Sequence, residues 1–249
     1  MEGQKLAVLI DADNAQASVA HELFVEIARY GIATVRRAYG DWTTPNLASW
    51  KPTLLDLAIQ PIQQFRYTSG KNATDSALII DAMDLLHGGN LDGFCIVSSD
   101  SDFTRLATRL REAGRTVYGF GEQKTPKPFV AACDKFVYTE ILRPDQTPDT
   151  TLDKDAGSLK SMLLAAVDSA AREDGWASLA AVGSLVVKSE PSFDARNYGY
   201  RKLGDLVKAK NYLEVKSVPM SEGALAQAIY VRRRESSEGR VKQATTRAG

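Results

Sequence analysis

The stretch LAVLID at residues 6–11, which runs on through Ala12 and Asp13 to Asn14, decides the fold. Its apolar residues follow one another without alternation, so both faces of this strand are buried, as in parallel sheets covered on both sides. A second run of the same kind, GFCIVSS at 93–99, leads directly into Asp100. Around these two, strand and helix patterns alternate. The spacing predicts helices over 18–30, 47–59, 74–86 and 103–113 and further strands over 32–39, 61–67, 116–120 and 136–142. Glycines at 31, 88, 89 and 114 supply the helix stops. Strands separated by helices of this length make βαβ units, so the first half reads as an α/β domain: a parallel sheet with helices on both faces. Ligands in such sheets sit beyond the carboxyl ends of the strands.

Three acidic blocks fall at that edge. Asp11 ends the first strand with Asp13 and Asn14 behind it, Asp100 follows the 93–99 strand with Asp102 two residues on, and Asp75 opens a helix after KNAT. Its place on the first turn predicts a side chain that projects away from the core. Carboxylates gathered without neutralising partners repel one another, so such a cluster persists when a cation occupies it. An all-oxygen ligand set points to Mg²⁺ or Mn²⁺ rather than zinc. Asp11, Asp75 and Asp100 are therefore the expected metal ligands, with Asp102 and Asn14 as further catalytic candidates. Any one Asp at a strand end is more often a helix cap, and Asp102 before FTRLATRL suits that role. The coincidence of three blocks carries the reading. Asp81 and Asp84 lie deeper along the helix and read as structural or solvent-facing.

Neighbouring residues suit a nucleic acid. Lys71 in SGKN is placed to meet a phosphate, and Tyr39 and Trp42 in AYGDW are placed to stack on a base. Trp42 is equally a loop aromatic that covers the core.

Composition narrows the chemistry. Of 249 residues only His21 and His87 are histidines, which excludes a catalytic histidine pair or a His-rich zinc site. Both suit structural roles. Two cysteines, Cys95 in an apolar strand and Cys133 in a helical stretch, read as reduced, buried thiols. No apolar run approaches the roughly 18 residues of a membrane span, and the start runs straight into a strand, so a cytoplasmic protein without a membrane partner is expected. The zero net charge conceals an asymmetry: residues 1–149 carry 15 Lys and Arg against 19 Asp and Glu, and residues 150–249 carry 16 against 12. An acidic first half beside a basic second half suits a carboxylate site paired with a polyanion-binding module.

Residues 143–157, RPDQTPDTTLDKDAG, hold two prolines, five acidic or amide residues and little to bury, which is a linker composition. Beyond it come helical patterns over 158–172, 176–188 and 197–210 and strand-like runs over 212–218 and 228–233, the order of a winged helix. From about residue 235 the chain is polar and reads as a disordered tail.

Taken in order, the acidic blocks resemble those of the NYN domain, a branch of the PIN-like nucleases. The carrying residues are Asp11 with Asn14, the helix start TDSALIIDAM with Asp75, and SSDSDF with Asp100 and Asp102. The likeness covers residues 5–142, within a domain expected over residues 1–142. Many members have Gly where this chain has Asp13, and that extra carboxylate either alters metal preference or simply points to water. Residues 158–234 resemble an OST-HTH (LOTUS) winged helix, through GWASLAAVGSLV at 175–186 and SFDARNYGYRKLGDLV at 192–207. These resemblances imply a metal-dependent ribonuclease with an appended module that binds RNA, single-stranded by expectation, or a protein partner. Arg201, Lys202 and Lys208 give that module a basic helix face. Two alternatives stay open: a non-catalytic RNA-binding scaffold, and a phosphatase of the haloacid-dehalogenase type, whose opening Asp11-Ala-Asp13 is similar to.

The linker composition generates a direct expectation. Mild proteolysis should cut within 143–157 and leave two folded fragments; a single protected core trimmed only at its C-terminal end would move the boundary.

Overall fold

The computed structural model describes residues 3–65, 73–143, 156–219 and 227–234. By its contacts the chain divides into two compact units, Met1–Gln146 with Glu190–Ser192 and Thr147–Ser189 with Phe193–Gly249.

In the first unit, six parallel strands form one sheet in the order β3-β2-β1-β4-β5-β6. They are β1 (Lys5–Asp11), β2 (Ile32–Gly40), β3 (Gln60–Gln63), β4 (Gly93–Val97), β5 (Thr116–Gly121) and β6 (Lys135–Tyr138). Helices α1 (Ala20–Ile27), α2 (Trp50–Asp56), α3 (Ala73–His87), α4 (Thr104–Glu112) and α5 (Lys127–Ala132) make the connections. The chain winds outward from β1 to β3 and then returns to lay β4 against the other side of β1. That reversal opens a crevice at the carboxyl ends of β1 and β4.

Strand alternation explains the two cores. Leu6, Val8 and Ile10 of β1 join Cys95 and Val97 of β4 in one apolar cluster with Leu23 and Ile27 of α1 and Trp50 of α2. Ala7 and Leu9 join Phe94 and Ile96 in the other, with Leu78 and Ala82 of α3 and Leu106 and Leu110 of α4. Because successive side chains point to opposite faces, Asp11 follows Leu9 onto the α3 side, and Ser98 follows Ile96 there.

Several limits differ from expectation. The strand predicted over 136–142 stops at Tyr138, and Thr139–Leu142 coil into a 3₁₀ turn that buries Thr139 and Leu142. Helix 18–30 is shorter, entered through a 3₁₀ turn at Ala17–Val19 and ending at Ile27. Cys95 and Cys133 are both free and buried, and burial pushes both thiols above the usual range.

The second unit packs α6 (Ala156–Ala170), α7 (Leu179–Ser189) and α8 (Leu203–Lys208) against a three-stranded sheet. The sheet order is β7-β9-β8, with β7 (Ala177–Ser178) and β9 (Gln227–Arg233) added to β8 (Leu213–Pro219). The expected helix over 197–210 is broken: Asp194 caps a 3₁₀ turn at Ala195–Tyr198, and Gly199 ends it at φ +81°. That left-handed conformation stops helical propagation and suits glycine. No helix among the described residues is long and apolar enough to cross a membrane.

Close packing at β5 generates a test. A Cβ on Gly119 would lie 2.4 Å from the Phe136 ring and 2.7 Å from the Cys133 sulfur, both buried. Gly119→Ala should therefore destabilise the first unit by ~1–3 kcal/mol, the cost of overpacking a filled core. Denaturant unfolding checks it; an unchanged midpoint would mean the ring yields freely.

Candidate metal centre

Asp11 is the deepest residue of the crevice and is fully buried. Its Oδ2 accepts hydrogen bonds from Asn14 Nδ2 at 2.7 Å and Ser98 Oγ at 2.8 Å. The turn that carries Asn14 is closed by its amide and that of Ala15 donating to the Asp11 carbonyl. Oδ1 is buried and has no hydrogen-bond partner among the described residues. Burial raises the pKa of Asp11, the Asn14 and Ser98 hydrogen bonds oppose this, and the charge of Asp13 reinforces it.

Ser98 links the two strand ends. While its hydroxyl donates to Asp11, its oxygen accepts the Asp100 backbone N–H at 3.1 Å. Asp100 in turn caps the 3₁₀ turn Ser101–Phe103, its Oδ1 accepting from the Asp102 N–H at 2.9 Å. The cap expected of Asp102 thus belongs to Asp100. The helix that follows has Phe103 at its own cap position, with no side-chain hydrogen bond there.

Asp75 lies on the α3 stripe formed with Leu78, Ala82 and Leu86, all buried. This differs from the projecting side chain expected. Extending that stripe back by one helical step of three reaches Asp75, so spacing alone carried the signal. One residue earlier, Thr74 Oγ1 donates to Asp13 Oδ2 at 3.0 Å and holds the start of α3 to the β1 turn. Burial and then the like charges of Asp11, Asp100, Asp102 and Asp13 raise the Asp75 pKa from 3.8 to about 6.

Carboxylate oxygens of Asp75, Asp100 and Asp102 lie within 4.8 Å of one another. At such separations a pair of unit charges repels by about 1 kcal/mol in bulk water and by on the order of 3–4 kcal/mol at an effective dielectric near 20, and exposed Asp102 lies toward the lower figure. The grouping brings Asp102 beside Asp75 and Asp100, and Asp11 adds its charge from below. The residues fit a hard divalent cation: every donor is oxygen, the three carboxylates converge, and a buried oxygen of Asp11 lacks a hydrogen-bond partner among the described residues.

The nucleic-acid candidates divide. Trp42 is half-buried, its indole N–H donating to the Ile62 carbonyl at 3.0 Å, while its amide donates to Gln63 Oε1. It packs against the apolar cluster around Trp50. Tyr39, expected at the surface, is instead fully buried, since β2 alternation turns it toward α3. Its hydroxyl donates to Asp81 at 2.5 Å, and Arg37 pairs with the same carboxylate at 2.8 Å. Asp81 therefore ties α3 to β2, a role sequence reading left general. Lys71 lies outside the described residues. Arg201, Lys202 and Lys208 are exposed on the second unit, at and before α8.

Comparison with known proteins places these features. The NYN domain family model matches residues 5–142, and the OST-HTH/LOTUS domain model matches residues 151–223. No curated protein matches the chain. A protein of unknown function from Vibrio parahaemolyticus, known from a crystal structure, is 18% identical over 55% of this chain and 93% of its own, with a TM-score of 0.48. An uncharacterized protein from Nitrosomonas europaea, solved in solution, is 30% identical over 38% of this chain and 86% of its own, with a TM-score of 0.29. A solution structure from Chromobacterium violaceum is 37% identical over 32% of this chain and 83% of its own, with a TM-score of 0.26.

The raised Asp75 pKa sets a pH dependence in the cation-free protein. The folded state binds the Asp75 proton more tightly than the unfolded chain, so stability falls as pH rises from 3.8 toward about 6 and levels off above. Thermal melts in chelator should show this loss for the wild type and a flatter profile for Asp75→Asn. A divalent cation should offset the loss above pH 6. Identical pH profiles for the two proteins would contradict the assignment.

Proposed function

This chain belongs to the NYN domain family, and we propose that it is a Mg²⁺- or Mn²⁺-dependent ribonuclease that hydrolyses RNA phosphodiester bonds, its second unit binding single-stranded RNA. The observation that carries the reading is the grouping of Asp75, Asp100 and Asp102 above the buried, half-satisfied carboxylate of Asp11. Resemblance to PIN-like nucleases supports the choice of RNA.

Asp75, Asp100 and Asp102 would hold the cation, and Asp11 completes the negative set. When bound, such an ion neutralises charge on a phosphodiester and lowers the pKa of its water. The chain's own residues orient the site. Asn14 and Ser98 fix the Asp11 carboxylate through Oδ2 and leave Oδ1 to the crevice chemistry. Thr74 holds Asp13, and Asp100 spends one oxygen on the Asp102 amide, which orders the loop carrying both acids.

The phosphatase alternative requires Asp11 to attack phosphorus. A fully buried carboxylate with one oxygen engaged twice does not favour that role.

Asp11→Asn and Asp100→Asn should each lower cleavage of single-stranded RNA by ~10²-fold or more while leaving the fold intact, the scale of losing a group that stabilises transition-state charge. Chelator should abolish cleavage, with Mg²⁺ or Mn²⁺ but not Ca²⁺ restoring it. Wild-type rates from the folded variants, or full activity in chelator, would refute the metal mechanism. A folded wild type that binds RNA and leaves it uncut under all these cations would favour the scaffold alternative.

A further inference from the structure

The second unit's sheet has one apolar face and one of a different kind. Leu213 and Val231 are buried in the core of this unit, with Val215 packed against it. Antiparallel register sets Tyr230 opposite both Ser178 and Lys216, and Arg232 opposite Glu214. Alternation turns Tyr230, Arg232, Glu214 and Lys216 away from the core. Trp176, the residue before β7, joins them. The Lys216 ammonium lies 4.1 Å from the Trp176 ring centre and 5.6 Å from that of Tyr230, and the Arg232 guanidinium lies 4.7 Å from Trp176. Arg232 also pairs with Glu214 at 2.6 Å. Among the described residues Lys216 has no carboxylate partner, and the two rings are its recorded neighbours.

We infer that this sheet face is a platform for single-stranded RNA, on which Trp176 and Tyr230 stack bases while Lys216 and Arg232 take the adjoining phosphates. The inference rests on the RNA reading of the second unit and goes further, by placing the principal contact on the sheet rather than on the helix face of Arg201, Lys202 and Lys208.

Three physical arguments support it. Lys216 is half-buried, where a cation over a ring is worth about 0.5–2 kcal/mol, whereas a stacked base is worth about 1–3 kcal/mol, so a base displaces Lys216 from the rings. The displaced ammonium sits on a flexible four-carbon stem beside the phosphate that the base brings with it. Residues 150–249 carry 16 Lys and Arg against 12 Asp and Glu, so the charge of this half complements a polyanion. The helix face offers cations, but Tyr200 beside it packs against the core. An acidic protein segment would meet the same cations, yet it would have no use for two rings presented together.

The test uses the full-length protein in chelator, which prevents cleavage, and a labelled oligouridine followed by anisotropy at several salt concentrations. Tyr230→Leu should weaken binding roughly tenfold, the loss of one stacked base. Lys216→Ala should flatten the log–log salt slope by ~0.7, the loss of one phosphate contact on a single strand. An abasic ribose-phosphate oligomer should bind the wild type more weakly than oligouridine. Trp176→Leu adds a second stacking loss, but Trp176 is half-buried, so Tyr230→Leu and Lys216→Ala decide the matter, each checked by its melting curve. Wild-type affinity and slope in both variants, equal binding of the abasic oligomer, loss only when Arg201, Lys202 and Lys208 are replaced together, or binding to a polyglutamate peptide in place of RNA would each overturn the inference. Cleavage is scored separately with Mn²⁺. Sheet-dependent binding without cleavage would uphold this platform and sink the ribonuclease proposal, whereas cleavage with sheet-independent binding would do the reverse.

Discussion

Mutual repulsion among Asp75, Asp100 and Asp102, with oxygens within 4.8 Å of one another, is the constraint that the first unit is organised to withstand. Backbone hydrogen bonds and apolar packing anchor each acid. Asp100 is held by the 3₁₀ turn it caps and by the Ser98 hydroxyl at its own amide. Asp75 is held by the apolar stripe of α3 and by the Thr74 bond to Asp13. Asp102 is carried on the capped turn between Ser101 and the fully buried Phe103. Backbone and packing thus supply the restraint that holds three like charges close together. This is why the energetic conflict falls on protonation, with Asp75 pushed up to about 6, rather than on the fold.

The sheet's winding makes that arrangement possible. Placing β4 beside β1 brings Ser98 next to Asp11, although 86 residues lie between them in the chain. Parallel pairing aligns both carboxyl ends at one edge, and the reversal of winding direction there leaves no crossover above them. Helix α3 must then sit at a set height against the sheet for Asp75 to meet Asp100. The bond from Tyr39 to Asp81 and the ion pair from Arg37 to Asp81 fix that height from β2, one strand away. Because Tyr39 and Asp11 are register partners, the same rung of the sheet supports the acid and the clamp.

In the second unit the physical problem is different. It has a small core, so its three-stranded sheet must cover that core with one face and leave the other to solvent. Trp176 and Tyr230 on the outward face, both half-buried, are shielded by cations rather than by apolar neighbours. Glu214 balances Arg232 but leaves Lys216 unbalanced among the described residues. A two-residue strand, β7, is what brings Trp176 to this surface; with β8 and β9 alone, the winged hairpin would lack the indole.

Local sequence determined a great deal of this protein. The unbroken apolar runs at 6–10 and 93–97 are buried strands because a run without alternation has no face to offer water, and the positions of Asp11 and Asp100 at strand ends follow directly. The α3 stripe through Leu78, Ala82 and Leu86 contained the burial of Asp75 as well, although the charge of that residue obscured it. Tertiary structure alone decided the rest. That Tyr39 faces inward depends on which side of β2 receives α3, and that Asp100, not Asp102, caps the turn depends on a backbone path set by Ser98 and the packing of Phe103. The division has a simple origin. Burial and helical phase are properties of a single segment, written in its own periodicity, whereas the meeting of Asp75, Asp100 and Asp102 depends on distances between segments, which the chain acquires when the sheet closes around β1 and α3 is pinned to it.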